Sequence, residues 1–203
     1  MNKSPGSLSG RRLASTQYLE DYFRRYEDTR NTASWKFERL QRFVEADDDS
    51  WQEFEHGNWE RSLERFKARG PKLQAEARED ADRGIEQYRV RVVAEPISPY
   101  LLWELNALKI RGEYGEKIRV VDAGLVEEFE QDGELPEILT LGEETVYQVL
   151  YNEDGVLEGA ICSTERSDVK KWVRFIKKLY KRGEDIESFF ARRVAGRKPS
   201  NAA

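Results

Sequence analysis

The sequence predicts an α+β fold, with a helical N-terminal part followed by a small, mostly antiparallel sheet packed by at least two helices. Three features predict it. Apolar residues recur at helical spacing through residue 86. The period drops to two at Tyr88, where Y-R-V-R-V-V-A-E-P-I-S-P-Y-L-L-W runs from a strand pattern through a proline turn into a helix start. A strongly amphipathic segment then occupies residues 168–182.

Residues 1–15, rich in Ser and Gly, read as a mobile tail. Thr16 caps a helix with Leu19, Tyr22, Phe23 and Tyr26 on one stripe, and Ser34 caps the next, with Phe37, Leu40 and Val44 inward. The E-A-D-D-D run at 45–49 is a solvated connection, because it lacks the alternating ligands and Gly of a calcium loop. Trp51 and Phe54 sit on a short helix broken at His56-Gly57, and Asn58 caps another carrying Trp59, Leu63 and Phe66. Gly70-Pro71 opens a peripheral helix with a thin stripe of Leu73, Ala77, Ala81 and Ile85. Residues 16–86 thus make the helical part.

From 87 to 192 the chain becomes mixed, and with 30–86 it makes one domain. Tyr88, Val90 and Val92 fall on one face of a strand that Glu95-Pro96 ends; Arg89, Arg91 and Val93 fall on the other. Ser98-Pro99 starts a helix in the order cap then N1 proline, with Leu101, Leu105 and Leu108 buried. Short strands follow at 118–121 and 137–141, around an acidic loop. Strands at 145–151 and 156–162 flank Asp154-Gly155, a strong hairpin signal. Ser167 caps a helix to Arg182, and a last short helix holds Ile186, Phe189 and Phe190. Residues 193–203 form a basic, unstructured tail.

Composition narrows the chemistry. Charged residues reach 36% against 38% hydrophobic, but five Trp, nine Tyr and nine Phe supply enough apolar bulk for a core. Net charge of −5 gives no global case for nucleic acid or membrane. A single Cys162 excludes an intrachain disulfide, and with a single His56 it excludes a zinc site. No Gly-rich phosphate loop is present. His56, at a helix end, reads as a surface or capping residue, and Cys162 as a buried thiol. No catalytic residue, metal or cofactor is expected. Without an apolar run of spanning length or a signal-peptide core near the N-terminus, the protein is expected to be soluble, cytoplasmic and without a membrane partner.

Two constellations stand out. Arg89 and Arg91 share one strand face, which a core does not favour. Three readings are open: an exposed face with carboxylates of neighbouring strands, buried pairs with Glu95 or Glu104, or an anion site using Arg89, Arg91, Tyr100 and Glu104. The second constellation is Lys170, Lys171, Arg174, Lys177, Lys178 and Lys181, a continuous basic stripe opposite the apolar face of the 168–182 helix. It reads either as a solvated face or as a surface for an acidic partner or a phosphate backbone.

The segments R-V-R-V-V-A-E-P (89–96), Y-L-L-W-E-L (100–105), G-E-K-I-R-V (115–120) and Y-N-E-D-G-V-L-E-G-A (151–160) resemble a bacterial family common in actinomycetes, domain of unknown function 6879. W-K-F-E-R-L-Q-R-F (35–43) and the helix from Asp168 extend the resemblance to roughly residues 30–192. The charged stretch at 67–86 is longer than the loop usual in the family, and an aromatic-rich acidic strand before the hairpin is less evident. The resemblance carries no catalytic residues. It implies helix-turn-helix regulators as a partner class, because members often sit beside them. The function expected is therefore a non-enzymatic cytoplasmic interaction or regulatory protein with another protein as partner. The alternatives are an anion- or nucleotide-binding domain or enzyme using Arg89, Arg91 and Glu104, and direct nucleic-acid binding through the basic stripe.

Overall fold

In the computed structural model, which describes residues 5–131 and 133–199, strand and helix alternate from the start. The chain runs β1 (Arg11–Ala14), α1 (Ser15–Asp28), β2 (Thr32–Glu38), α2 (Asp49–Glu55), α3 (Trp59–Ala68), α4 (Gly70–Asp82) and β3 (Ile85–Val93). It continues α5 (Pro99–Glu113), β4 (Lys117–Asp122), β5 (Glu137–Leu141), β6 (Thr145–Tyr151), β7 (Leu157–Ser163), α6 (Arg166–Arg182), β8 (Glu184–Asp185) and α7 (Ile186–Arg193). The strands form one sheet in the order β1-β7-β6-β5-β2-β3-β4-β8. The α+β class holds, but the sheet is larger than expected and mixed. β2, β3 and β4 are parallel, and the other pairs are antiparallel. Parallel neighbours need long crossovers, which α2–α4 and α5 supply.

The main correction is β2. The helix expected from Ser34 is a central strand paired to both β3 and β5. Trp35, Phe37, Leu40 and Val44 fit a helical period almost as well as an alternating one, so pairing decides. Trp35 lies opposite Tyr88 with the rings stacked 4.1 Å apart, and Phe37 lies opposite Val90. The N-terminal part therefore holds strands as well as helices.

The expected N-terminal tail is also partly ordered. β1 pairs with β7 and Leu8 is buried, while Met1–Ser4 lie outside the described residues. Ala14, rather than Thr16, precedes α1, and its N–H is accepted by Gln17 Oε1 at 3.1 Å. The inward face of α1 is rotated from the expected stripe. Tyr18 and Asp21 are buried, whereas Leu19 and Phe23 are 42% and 58% exposed. The cause is polar: Tyr147 of β6 donates its hydroxyl to Asp21 at 2.8 Å and turns that face to the sheet. At the other end, Val194 is buried beyond α7, so the basic tail starts later than residue 193; Ser200–Ala203 lie outside the described residues.

Two layers cover the sheet. On one face, Phe37, Val90, Val92, Val121 and Val146 pack against Trp172, Ile176 and Leu179 of α6. On the other, α1 covers β6 and β7 through Tyr18. The same face carries Ile118 and Val120 under α5 and α7, with Trp51, Phe66 and Trp103 in the same cluster. The Trp103 indole donates to Ser50 and Ser62 hydroxyls at 3.0 Å, which satisfies a polar atom inside an aromatic cluster. The Ser98 cap is as expected, accepting from Leu101 N–H at 3.1 Å. Between α1 and α5 this second face is charged, and there the candidate ligand residues lie.

Candidate functional site

Alternation along β3 sends Val90 and Val92 to α6 and Arg89 and Arg91 to the opposite face. Arg89 Nη1 donates to both Glu38 carboxylate oxygens at 2.7 and 2.8 Å, and Nε donates to Glu116 at 2.6 Å. Lys36 Nζ also sits 2.6 Å from Glu38. Burial raises the Glu38 carboxyl, but Arg89, Lys36 and Arg91 overcome it and hold it well below the usual range. Glu116 is likewise raised by burial and pulled below its ordinary value by Arg89 and Arg111.

Arg91 is fully buried. Its Nε donates to Glu104 at 2.8 Å, Nη1 donates to Val92 O at 3.1 Å, and the guanidinium lies 5.6 Å from the Phe43 ring centre. Nη2 has no partner among the described residues, and neither has the buried Tyr100 hydroxyl. Burial pushes Glu104 above its ordinary value in spite of Arg91. Glu137, at the start of β5, lies in the same region and accepts the Arg39 and Leu40 N–H groups at 2.6 and 2.7 Å. Burial pushes its carboxyl up to about 8.

The arginine face is therefore closed, against the exposed-face reading. Arg89 does take a carboxylate of the neighbouring strand, Glu38, but inside the protein. Arg91 makes the buried pair with Glu104, while Glu95 pairs with Arg193 on the surface. Arg91 and Glu104 are in contact, and Tyr100 is one helical turn before Glu104 on α5; Arg89 lies two residues from Arg91 toward the strand start. Sequence reasoning missed Glu38, Glu116 and Glu137. Glu38 was hidden by the helical reading of 34–44, although K-F-E alternates. The other two meet the arginines only through strand register. Each guanidinium already holds a carboxylate, and of the Arg91 nitrogens only the buried Nη2 is left for another acceptor. His56 is an exposed residue at the end of α2, and Cys162 is a free buried thiol raised by burial. Among the described residues no group of three His, Cys, Asp or Glu is gathered for a metal, and no helix is long and apolar enough to cross a membrane.

The second constellation is open. Lys170, Lys171, Arg174, Lys177, Lys178 and Lys181 are all exposed on α6. None makes an ion pair with a carboxylate of the described residues, in contrast to Arg182, which pairs with Glu128 at 2.8 Å. Lys177 lies 5.3 Å from the Trp35 ring centre and Lys178 4.9 Å from that of Phe129, so their stems rest on aromatic surface. A shallow groove of about 830 Å³ runs beside the helix, with Val169 and Val173 in its lining, Lys170, Arg174 and Lys177 along it and Glu143 at its edge. At 1.5 Å per residue the stripe is roughly 16 Å long. Eight basic residues and one acidic residue give α6 a charge of +7, so the rest of the chain carries −12 of the total of −5.

No curated protein matches the chain. Among solved structures, the archaeal chromatin protein TrmBL2, described as showing a novel mode of DNA binding, is similar at 12% identity with a TM-score of 0.44. The match covers 88% of this chain and 55% of that one, so the chain spans about half its length. The family model for the domain of unknown function DUF6879 matches residues 20–191, and the chain belongs to that family.

Proposed function

We propose that the protein is a non-enzymatic interaction module that acts in the cytoplasm, and that α6 is its docking surface for an acidic face of a partner protein. One contrast carries this reading. The arginines inside the fold are neutralised by Glu38, Glu104 and Glu116, whereas the six cations along α6 pair with no carboxylate among the described residues. Solvated surface cations contribute little to stability on their own, so such a face is free to be used for recognition. A protein partner is favoured over nucleic acid for two reasons. The −12 on the rest of the chain repels an extended phosphate array. The aliphatic stems of Lys170, Arg174 and Lys177 line the groove together with their charges, which suits an amphipathic acidic helix that brings apolar side chains as well as charge. Helix-turn-helix regulators, implied by the family resemblance, are the first partners to test.

The test reverses three charges, Lys170→Glu, Arg174→Glu and Lys177→Glu, in the full chain. Binding of a glutamate-rich amphipathic peptide and of a short DNA duplex is then measured at rising salt. The wild type is expected to bind the peptide more tightly than the duplex, with affinity falling as salt rises. The triple variant is expected to lose affinity by about 10- to 100-fold at low salt while its circular dichroism is unchanged. Unchanged peptide binding in the variant, or tighter binding of the duplex, overturns the proposal.

A further inference from the structure

On the face of the sheet opposite α6, α1 and α5 leave a gap that α4 spans with only Gly70 buried. Beneath it lies a cleft of about 520 Å³, within the range of small-ligand sites. It meets two further recesses at Glu76 and Arg111. The floor cations are already engaged, Lys36 with Glu38, and Arg89 between Glu38 and Glu116. Arg111, 3.7 Å from Glu116, is more loosely held. The α4 wall is different. Glu76 is 3.8 Å from Lys72 on the outer surface and has no nearer cation among the described residues. Asp80 accepts from the Tyr26 hydroxyl and from Gln87 at 3.0 Å, with no cation in ion-pair range among the described residues.

The opposite wall is aromatic. Tyr22 and Tyr26 are stacked at 5.8 Å and 18°, beside Tyr18. Tyr18 is a largely buried residue that lines the cleft, and its hydroxyl makes no hydrogen bond to the described residues. The hydroxyl is not one of the fully buried polar atoms, so it opens into the cleft, where a donor on a guest can reach it. Leu19 and Phe23, two of the large apolar side chains that remain exposed, line the same cleft. The protein already uses this wall for a cation, since the Arg83 guanidinium lies 4.5 Å from the Tyr26 ring centre.

We propose that this cleft binds an organic cation, an ammonium or guanidinium on an apolar stem. The charged head lies against the Tyr22 ring, between Glu76 and Asp80, and donates to the Tyr18 hydroxyl. The stem rests on Leu19 and Phe23. An anion does not suit the site, because the floor cations carry their own carboxylates and the α4 wall repels it. The same chemistry has two sources, a free amine or the Arg or Lys side chain of a peptide.

The experiment titrates agmatine, a capped Gly-Arg-Gly peptide and hexanoate into the full chain and follows backbone amide shifts by NMR. Saturable shifts confined to α1, α4 and the adjoining β3 start are expected for the cations. Tighter binding of agmatine identifies a free amine as the ligand type, and tighter binding of the peptide a side chain. Glu76→Gln, an exposed change that leaves the fold intact, is expected to weaken binding by about tenfold. The α6 triple variant is expected to bind as the wild type does, which separates this site from the proposed docking face. Absence of saturable shifts with both cations, equal affinity in Glu76→Gln, or a preference for hexanoate overturns the proposal.

Discussion

Arg91 has no exposed surface, and Glu104 is what makes its charge tolerable there. Removing one member of a buried pair strands the other, a larger penalty than the pair's own net worth. Arg91→Met is therefore expected to destabilise the protein by about 3–5 kcal/mol. The double change Arg91→Met/Glu104→Leu is expected to recover most of that loss, read as a coupling energy from urea unfolding of all four variants. Additive effects would show that the two side chains do not depend on each other. Tyr100 tests the same interior from the other side. Its buried hydroxyl has no partner among the described residues, and such a group costs about 1–3 kcal/mol. Tyr100→Phe is expected to leave stability unchanged or raise it by about 1 kcal/mol. A clear loss would mean that an internal water holds that hydroxyl. The sequence made the arginines visible because two charges at period two on one strand face are anomalous. Of their partners Glu104 was visible as a pairing candidate, whereas Glu38 on β2 and Glu116 in the turn before β4 meet the arginines only through tertiary pairing.

Elements were legible where local signals agreed with packing. Ser98-Pro99 and Asp154-Gly155 each combine backbone preference with a flanking apolar pattern, and α5 and the β6–β7 hairpin follow. β2 was not legible, because its parallel pairing to β3 leaves no turn between them and its apolar spacing fits both periods. β1 was hidden for another reason: four residues in a Ser/Gly-rich stretch carry almost no strand preference, and β7 orders them. That docking depends on Gly159, with φ of +145° and space for no side chain; a Cβ there would sit 2.0 Å from Leu13 O. Gly159→Val is expected to push β1 off the sheet, lose amide-exchange protection at residues 11–14 and destabilise the fold by about 2–3 kcal/mol. In a chain lacking residues 1–14 the same substitution is expected to have a smaller effect. An equal effect in both backgrounds would place the strain within the β6–β7 hairpin.

At the scale of the whole molecule, two groups of buried carboxyls pull stability in opposite directions with pH. Asp21 is raised by burial but brought down to about 2 by Arg25, Tyr147 and Arg24, and Glu38, Glu116 and Glu130 are also held below their ordinary values. A carboxyl depressed in the folded state adds stability above its unfolded pKa, and that stability is lost as pH falls through the folded value. These groups therefore drive acid unfolding. Glu137 does the reverse. Burial lifts it from 4.5 to about 8, so the folded protein keeps a proton that the unfolded chain releases. Its contribution is complete below about pH 4.5 and disappears as pH rises through about 8. Glu104, raised in the same direction, adds to this decline. Urea midpoints of the wild type are thus expected to fall from about pH 5 to pH 8, inside the range where most proteins are at their most stable. Glu137→Gln keeps an oxygen for the Arg39 and Leu40 N–H groups and has no proton to lose. It is expected to flatten that decline, leaving the part due to Glu104, while the acid limb stays unchanged. Parallel curves for wild type and Glu137→Gln would assign the alkaline loss to Glu104, and the Arg91→Met/Glu104→Leu protein would then be the one with the flat profile.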